Sequence, residues 1–456
     1  MARRSTTRRG VTRAFGYVLI PGAIVVSVIG AGAAIALVTV LPSFSATESL
    51  ETDLAPVSIA IADLNGDAKP DLVTANRLGS NVSVFLNLGA AYFQSRRDYA
   101  TSAEPTSLAV GDVNGDRKPD LVTSNHEGTV SVLSNTGEGS FAMKRDYPTG
   151  LSPYSVAIGD LDDDDSADLA VAIRDDDISG SGAVSVLLNT GAGAFGAGHV
   201  YPLEADPAAV AIGDLNGDGS ADLATANTYA GSLSVLLNDG SGHFRPRRDY
   251  PTGDWAPSVA IGDLNADGKA DMVAGHFGKM VSVFFNQGDG SFEAPREHET
   301  GRYPNTVAIG DLNGDGAPDL ATANYQSNTV SVLANWGDGS FVARRDFRTV
   351  EDPWSIAIGD LDGDGKPDLA IASESSDAVS VLLNTTGLCT VPKVRQKTVP
   401  AAKRAIKHGL CGLGRIRRTY SGVIAKGRVL SASPQPGSVL PTRGRVSLVV
   451  SRGRRR

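Results

Sequence analysis

The chain has little of what most enzymes use. Its 456 residues include two cysteines, four methionines and six histidines (His126, His199, His243, His276, His298 and His408). No histidine recurs at one register or pairs at metal-ligating spacing. No GxSxG elbow, HExxH pair or P-loop is present, so serine-hydrolase, zinc-protease and nucleotide-phosphate chemistries lack their residues. The run Gly191–Gly196 (GAGAFG) formally fits a dinucleotide fingerprint, but no helical pattern follows it. Aromatics are scarce at 6%, while glycine is abundant at 52 residues. That balance excludes large helical packing and suits many short strands joined by tight turns.

Charge of one sign is also missing, in blocks. Before residue 43 there are five arginines and no acid; from 388 to 456 there are 17 basic residues and no acid. The intervening residues 43–387 carry all 51 acids against 20 bases, so the overall charge of -9 hides three regions. The acidic body excludes a nucleic-acid surface.

Behind the arginine head runs an uncharged stretch, Phe15 to Leu41. It reads as a signal peptide or transmembrane anchor, with an uncleaved anchor the first reading because the run is long for a plain signal. Pro21 interrupts its start. Arg3, Arg4, Arg8, Arg9 and Arg13 stay cytoplasmic in that reading, which exports the body, to be secreted or anchored at the cell surface.

One phrase returns seven times: ADLNGDAKPDL, GDVNGDRKPDL, GDLDDDDSADL, GDLNGDGSADL, GDLNADGKADM, GDLNGDGAPDL and GDLDGDGKPDL. Its leading Asp residues are spaced 49, 48, 54, 49, 48 and 49 apart. Each unit reads strand, acidic turn, strand, variable loop, third strand, glycine-rich turn, fourth strand, which is the grammar of a propeller blade. The last unit stops after its third strand at Asn384. Ser43–Pro56 aligns without gaps to Ser340–Pro353, so an N-terminal strand supplies the missing piece and closes the ring. The expected fold is all-β, a seven-bladed β-propeller closed by an N-terminal strand.

These repeats resemble the FG-GAP/VCBS family, whose propeller is similar to that of integrin α-chains. The resemblance covers residues 43–387 and implies that each acidic turn is a calcium-binding β-hairpin loop. Side-chain oxygens fall at positions 1, 3, 5 and 9, the hard-oxygen set that calcium prefers, whereas magnesium rarely takes an all-protein cage. The candidate ligands are Asp63, Asn65, Asp67 and Asp71; Asp112, Asn114, Asp116 and Asp120; Asp160, Asp162, Asp164 and Asp168. Then come Asp214, Asn216, Asp218 and Asp222; Asp263, Asn265, Asp267 and Asp271; Asp311, Asn313, Asp315 and Asp319, with the Ala317 carbonyl; and Asp360, Asp362, Asp364 and Asp368. Solvated Asp-rich turns do not account for four such oxygens in nine residues, seven times over. Ala68, Arg117 and Asp165 replace glycine at position 6, where positive φ is favoured, so weaker binding is expected in the first three loops.

The opposite ends of the strands carry the variable loops. Tyr154, Trp255, Tyr303 and Trp354 stand before first strands, with Arg77, His126, Arg174, His276, Phe277 and Tyr325 after second strands. This is the expected ligand face, for an unidentified protein or glycan. The longest insertion, Arg174–Ala183, reads as a flexible loop whose Asp175, Asp176 and Asp177 offer a further ion site. Fourth strands repeat RRDY, with Arg96, Arg97, Arg145, Arg247, Arg248, Arg344 and Arg345 expected to pair with Asp and protect the outer edge.

The tail predicts a helix over 399–408, with Ala402, Ala405 and Ile406 on one face, and strands near 415–420, 428–433 and 445–451. VPKV, AAKRAIKHGL, GRVLSASPQPG and VSLVVSRG resemble a PASTA domain, a small α+β module of bacterial surface proteins associated with peptidoglycan. Its charge favours peptidoglycan or another anionic cell-wall polymer. In an oxidising exterior Cys389 and Cys411 are expected to form a disulfide. The expected organisation is residues 1–42 as signal or anchor, 43–387 as propeller and 388–456 as the basic PASTA-like domain. The expected function is a non-enzymatic adhesion or scaffold module; the alternative is a propeller-borne extracellular hydrolase or lyase acting on glycans.

Overall fold

The computed structural model describes residues 15–20, 23–30, 33–47, 49–150, 152–174, 182–203, 205–342, 344–408, 412–437, 439–441 and 445–454. Residues 44–384 form one compact unit. Among the described residues it contains seven antiparallel sheets of four or five strands, six of them simple meanders, and two short two-stranded ribbons. Blade 1 is built from Pro56–Ala62, Asp71–Asn76, Asn81–Phe85 and Arg97–Ala100, and blades 2 to 6 repeat that order. Blade 7 has Pro353–Gly359, Asp368–Ser373 and Ala378–Asn384 from the end of the unit. Its outer edge comes from the start: Phe44–Ala46 and Leu50–Glu51 both pair with Ala378–Asn384.

Second strands are buried along their whole length in all seven blades, because neighbouring sheets cover both faces. Apolar clusters fill the seams. One joins Val73 and Val84 of blade 1 to Leu121 and Leu133 of blade 2. Another joins Leu72 and Phe85 of blade 1 to Ala370 and Val379 of blade 7, so the ring is closed.

The glycine of each GD pair belongs to this packing. A methyl group on Gly159 would lie 3.0 Å from Ile212 of the next blade, and one on Gly359 only 2.8 Å from Ile61 of blade 1. Blade 1 has Ala62 in that place, and blade 2 has the shorter Val110 where other blades have isoleucine; both pack on the same core cluster. At the rim, a fourth-strand ring meets the turn Phe of the next blade edge-on, as in Tyr99–Phe141 at 5.3 Å and Tyr250–Phe292 at 5.3 Å. Phe347 meets Phe44 in the same way at 5.1 Å, so the N-terminal segment occupies the place that alignment to Ser340–Pro353 assigns it.

A hydrogen-bonded staple repeats in every seam. The Asn that ends the third strand donates its side-chain amide to position 2 of the acidic loop in the preceding blade. Asn135 reaches the Leu64 carbonyl at 2.9 Å, Asn189 that of Val113 at 2.8 Å, and Asn238 that of Leu161 at 2.8 Å. Asn286, Asn335 and Asn384 reach Leu215, Leu264 and Leu312, and Asn87 closes the circle on Leu361 at 2.8 Å.

The tail has its own core, in which Ala402 and Ile406 of the helix Val399–His408 pack on Val429, Val446, Leu448 and Val450. Strand Arg445–Ser451 lies between a parallel partner, Gly412–Thr419, and an antiparallel one, Val429–Ser433. Cys411 lies outside the described residues, and with it the Cys389–Cys411 pairing.

In the N-terminal segment, Phe15–Ile20, Ala23–Gly30 and Ala33–Val40 form an antiparallel three-stranded meander. Among the described residues no helix is long and apolar enough to cross a membrane. The Val/Ile-rich composition of these runs favours strand.

Asn286→Ala removes both amide donors, to Leu215 and to Ala270, and strands buried carbonyls. Urea unfolding should show a loss of about 1–3 kcal/mol. Gln287→Ala, one residue along and exposed, should stay within about 0.5 kcal/mol of the parent protein.

Candidate functional site: acidic loops and an aromatic axial mouth

The acidic loops share one backbone path. Position 6 takes φ between 65° and 94° in all seven, and position 4 between 57° and 79°. Glycine fits both places. Ala68, Arg117 and Asp165 at position 6, and Asp163 and Ala266 at position 4, accept the left-handed conformation at a cost. The position-1 carboxylate organises the turn: in the first loop Asp63 accepts from the N–H groups of Gly66 at 2.8 Å and Ala68 at 2.8 Å. Asp67 at position 5 accepts from the Lys69 N–H at 3.0 Å.

The position-9 Asp begins the second strand and is wholly buried in every blade. Asp71 accepts from the Leu64 N–H at 2.9 Å with one oxygen and from the Asn87 N–H at 2.7 Å with the other. The same pair of donors recurs in the other six loops. Burial pushes the carboxyls of Asp71, Asp168, Asp222, Asp271 and Asp368 up to about 6 and that of Asp319 to about 7. Asp120 is raised for the same reason. The backbone donors pull the other way, and nearby loop carboxylates add to the rise.

The donor set suits a hard divalent cation. Carboxylate oxygens of Asp160, Asp162 and Asp168 lie within 4.8 Å of one another, as do those of Asp360, Asp362 and Asp368. Asp162 Oδ1 is buried without a hydrogen-bond partner, the state expected of an oxygen shaped for an ion. In the other five loops position 3 is Asn, which offers a neutral amide oxygen. In two of these the amide nitrogen also faces position 9, Asn114 at 3.3 Å from Asp120 and Asn313 at 3.5 Å from Asp319. Lys69, Lys118, Lys269 and Lys366 at position 7 pair with the position-5 Asp of their own loops. Loops 3, 4 and 6, with Ser166, Ser220 and Ala317 there, have no such internal cation. Asp175, Asp176 and Asp177 lie outside the described residues.

At the other end of the first strands, seven aromatic rings form a crescent. Tyr229 meets Trp255 at 4.8 Å, Trp255 meets Phe277 at 5.4 Å, and Phe277 meets Tyr303 at 4.4 Å. Tyr303 meets Tyr325 at 5.8 Å, and Tyr325 meets Trp354 at 5.4 Å. Tyr154 joins through Arg174, whose guanidinium stacks 4.4 Å over Tyr154 and 5.6 Å from Tyr229. Burial lowers the pKa of the Arg174 guanidinium, but buried Asp206 at 2.7 Å, together with the Tyr154 and Tyr229 phenols, raises it above the ordinary value on balance. Burial, with the phenols of Tyr154 and Tyr325 beside it, raises the Tyr303 hydroxyl.

The local cause is a bulge. In six blades the register of the first two strands slips just after the leading proline, as between Pro153 and Ser155 or Pro353 and Ser355. The extra residue, Tyr154 or Trp354 in those two blades, is turned toward the axis. Trp255 and Tyr303 stand two positions earlier, in the preceding turn, so the four anchors occupy two registers. His276 is not at the mouth; it is buried and bonded to Glu297 at 2.8 Å within blade 5. Arg77 pairs with Glu374 instead of joining the crescent. Tyr229 escaped sequence reasoning, because it lies one residue beyond the register of Phe277 and Tyr325. Three of the seven RRDY arginines are seen in the expected rim pairs, Arg96 at 3.3 Å from Asp98, Arg247 at 3.1 Å from Asp249 and Arg344 at 3.5 Å from Asp346, whereas Arg145 and Arg345 lie over the rings of Tyr147 and Phe347.

The FG-GAP-like repeat matches residues 63–123, 112–171, 214–274, 263–322 and 311–371, together more than half of the chain. The chain belongs to the FG-GAP-like repeat family. Residues 390–452 match the PASTA domain. No curated protein matches the chain at the significance required. Among solved structures, BBS1N from a mercury-soaked complex with ARL6DN superposes with a TM-score of 0.54 at 12% identity, covering 76% of this chain and 98% of that one. The lead-soaked form gives 0.54 and 12%, with 75% and 96% covered. An Agrocybe aegerita lectin that recognises non-reducing terminal N-acetylglucosamine reaches 0.48 at 19%, covering 78% and 94%. At these identities the likeness to BBS1N shows the fold, and this FG-GAP-like chain is a propeller with a PASTA domain behind it.

Folding raises the pKa of the position-9 carboxyls, so their contribution is full below the unfolded value near 3.8 and is lost as pH climbs through 6 to 7. In a chelator, thermal melts should therefore show a lower Tm at pH 8 than at pH 5. A Tm that is flat or rises over that window contradicts the burial argument.

Proposed function

We propose that this protein is an extracytoplasmic binding scaffold rather than an enzyme. In this reading the propeller offers its axial mouth to a protein or glycan, calcium stiffens the acidic loops, and the PASTA domain holds the cell wall. The observation that carries it is the separation of roles along each first strand. Seven rings gather at one end and seven four-oxygen loops at the other, about 20 Å apart at the rise of a seven-residue strand. FG-GAP repeats often bind calcium, propellers mediate protein interactions, and PASTA domains bind peptidoglycan-related ligands. Together the two domain types suggest an extracellular or cell-surface protein.

For the metal, the supporting chemistry is the oxygen-only donor set and the unpartnered Asp162 oxygen. Positions 1, 3, 5 and 9 would hold the ion. When bound, it neutralises carboxylates that otherwise repel within one hairpin. For the wall, the tail presents Arg415, Arg417 and Arg418 exposed along the edge strand Gly412–Thr419. With no acid among residues 388–456 to pair with them, an anionic polymer is the fitting partner.

Two measurements test the reading. Calcium at about 100 times its Kd should raise the Tm by an amount matching about 2.7 kcal/mol per site of that affinity, and chelation should reverse it. Equal melts with and without calcium would rule out the metal. Second, Tyr154→Ala, Trp255→Ala and Trp354→Ala combined should abolish retention of the surface ligand in pull-downs while leaving cell-wall retention intact. Catalytic turnover in a hydrolase or lyase screen, lost in the triple variant, would favour an enzyme instead.

A further inference from the structure

The axial mouth opens into a cavity of about 330 Å³ to which all seven blades contribute. That is near the lower end of ligand pockets, about 300–1,000 Å³, and suits one or two small rings rather than a protein segment of any length. Its walls and floor differ in chemistry. The walls are five rings of the crescent, Tyr154, Tyr229, Trp255, Tyr303 and Trp354; Trp255 is 40% and Tyr229 55% exposed, so both offer surface to a ligand. The floor is a circle of first-strand hydroxyls: Ser58, Ser107, Ser155, Ser258, Thr306 and Ser355.

Several of these hydroxyls already serve as acceptors. Ser58 Oγ accepts from the Leu108 N–H at 3.1 Å, Ser155 Oγ from Val210 at 3.2 Å, and Ser355 Oγ from Ile59 at 3.3 Å. Accepting from the next blade leaves each O–H free to donate elsewhere. Ser258 Oγ is buried with no partner at all. The phenols of Tyr154, Tyr229 and Tyr303 also line the cavity.

Charge narrows the class. Among the described residues no carboxylate lines the cavity, and its one charged side chain, Arg174, is neutralised by Asp206. A cation would find no carboxylate in the lining to pair with. A peptide carboxylate would find its only basic partner engaged. Flat apolar faces and many O–H groups, without net charge, fit aromatic walls over a hydroxyl floor.

We propose that the axial cavity binds the terminal one or two pyranose rings of a neutral glycan. The proposal rests on the binding-scaffold reading and narrows its ligand. The sugar's C–H faces stack on Trp255, Tyr229 and Trp354, and its hydroxyls bond the serine circle and the phenols. Arg174 is a positioning residue that holds the Tyr154 and Tyr229 rings apart.

The full chain in calcium buffer is titrated with cellobiose, N,N′-diacetylchitobiose and methyl β-glucopyranoside, following tryptophan emission. Two of the three tryptophans, Trp255 and Trp354, line the cavity. At least one sugar should give a saturable shift that weakens at least tenfold in Trp255→Ala, read through Trp354. Trp255→Phe should restore most of it, and Tyr92→Ser, exposed on a turn at the acidic-loop end, should change nothing. Saturation by tetramethylammonium with no response to any sugar would overturn the proposal in favour of a cation cage. Silence toward all small probes, with ligand retention in pull-downs still dependent on the crescent, overturns the glycan and leaves the scaffold reading standing. Silence in both experiments removes both.

Discussion

The fold turns on a short hydrogen-bonded circuit that runs through each acidic loop into its neighbour. The position-9 Asp holds the position-2 N–H of its own loop and the N–H of the Asn closing its own third strand. The carbonyl of that same position-2 residue receives the side-chain amide of the equivalent Asn one blade on. Loop shape and blade spacing are thus one structure. A divalent ion on the position-9 carboxylate would tighten the turn and the seam together. Order in the acidic loop is therefore coupled to the neighbouring blade through these bonds.

Closure imposes the second constraint. Six seams are ordinary neighbours in sequence, but the seventh joins residues far apart in the chain, 274 positions in the Asn87–Leu361 bond. Chain entropy makes such a contact late and costly unless the rest of the ring is already in place. The N-terminal strand answers this by splitting blade 7 between both ends of the unit, so the last seam is bridged by hydrogen bonds to Phe44–Ala46 as well as by packing. Phe44 then supplies the edge-to-face partner of Phe347 that turn phenylalanines supply elsewhere.

Most of this architecture was legible because the repeat states it seven times. The blade count, the closing strand, the four loop positions and the rim Arg–Asp pairs all follow from register. The GD glycine was legible only as a motif; its reason is the isoleucine of the next blade, and Ala62 with Val110 shows the pair adjusting together. The aromatic crescent was half legible. Tyr154 and Trp354 look equivalent to Trp255 and Tyr303 by eye, yet a β-bulge separates them into two registers. Tyr229 was invisible, since convergence on an axis is a property of the closed ring and not of any one repeat. His276 and Arg77 stood at the right positions but were taken by Glu297 and Glu374.

Where the repeats diverge is itself informative. Core strands and loop carboxylates vary little between blades, whereas the bulged residue runs through Val57, Thr106, Tyr154, Ala208, Asn305 and Trp354. The position lines one shared cavity in all six of these blades and lies outside the Asp–Asn staples, so its side chain differs from blade to blade while the staples stay the same. The crescent covers blades 3 to 7, while the bulge places the smaller Val57 and Thr106 in blades 1 and 2. That lopsided distribution breaks the sevenfold symmetry of the scaffold at the mouth and nowhere in the circuit beneath it. A seven-times repeated frame thereby carries one asymmetric aromatic face.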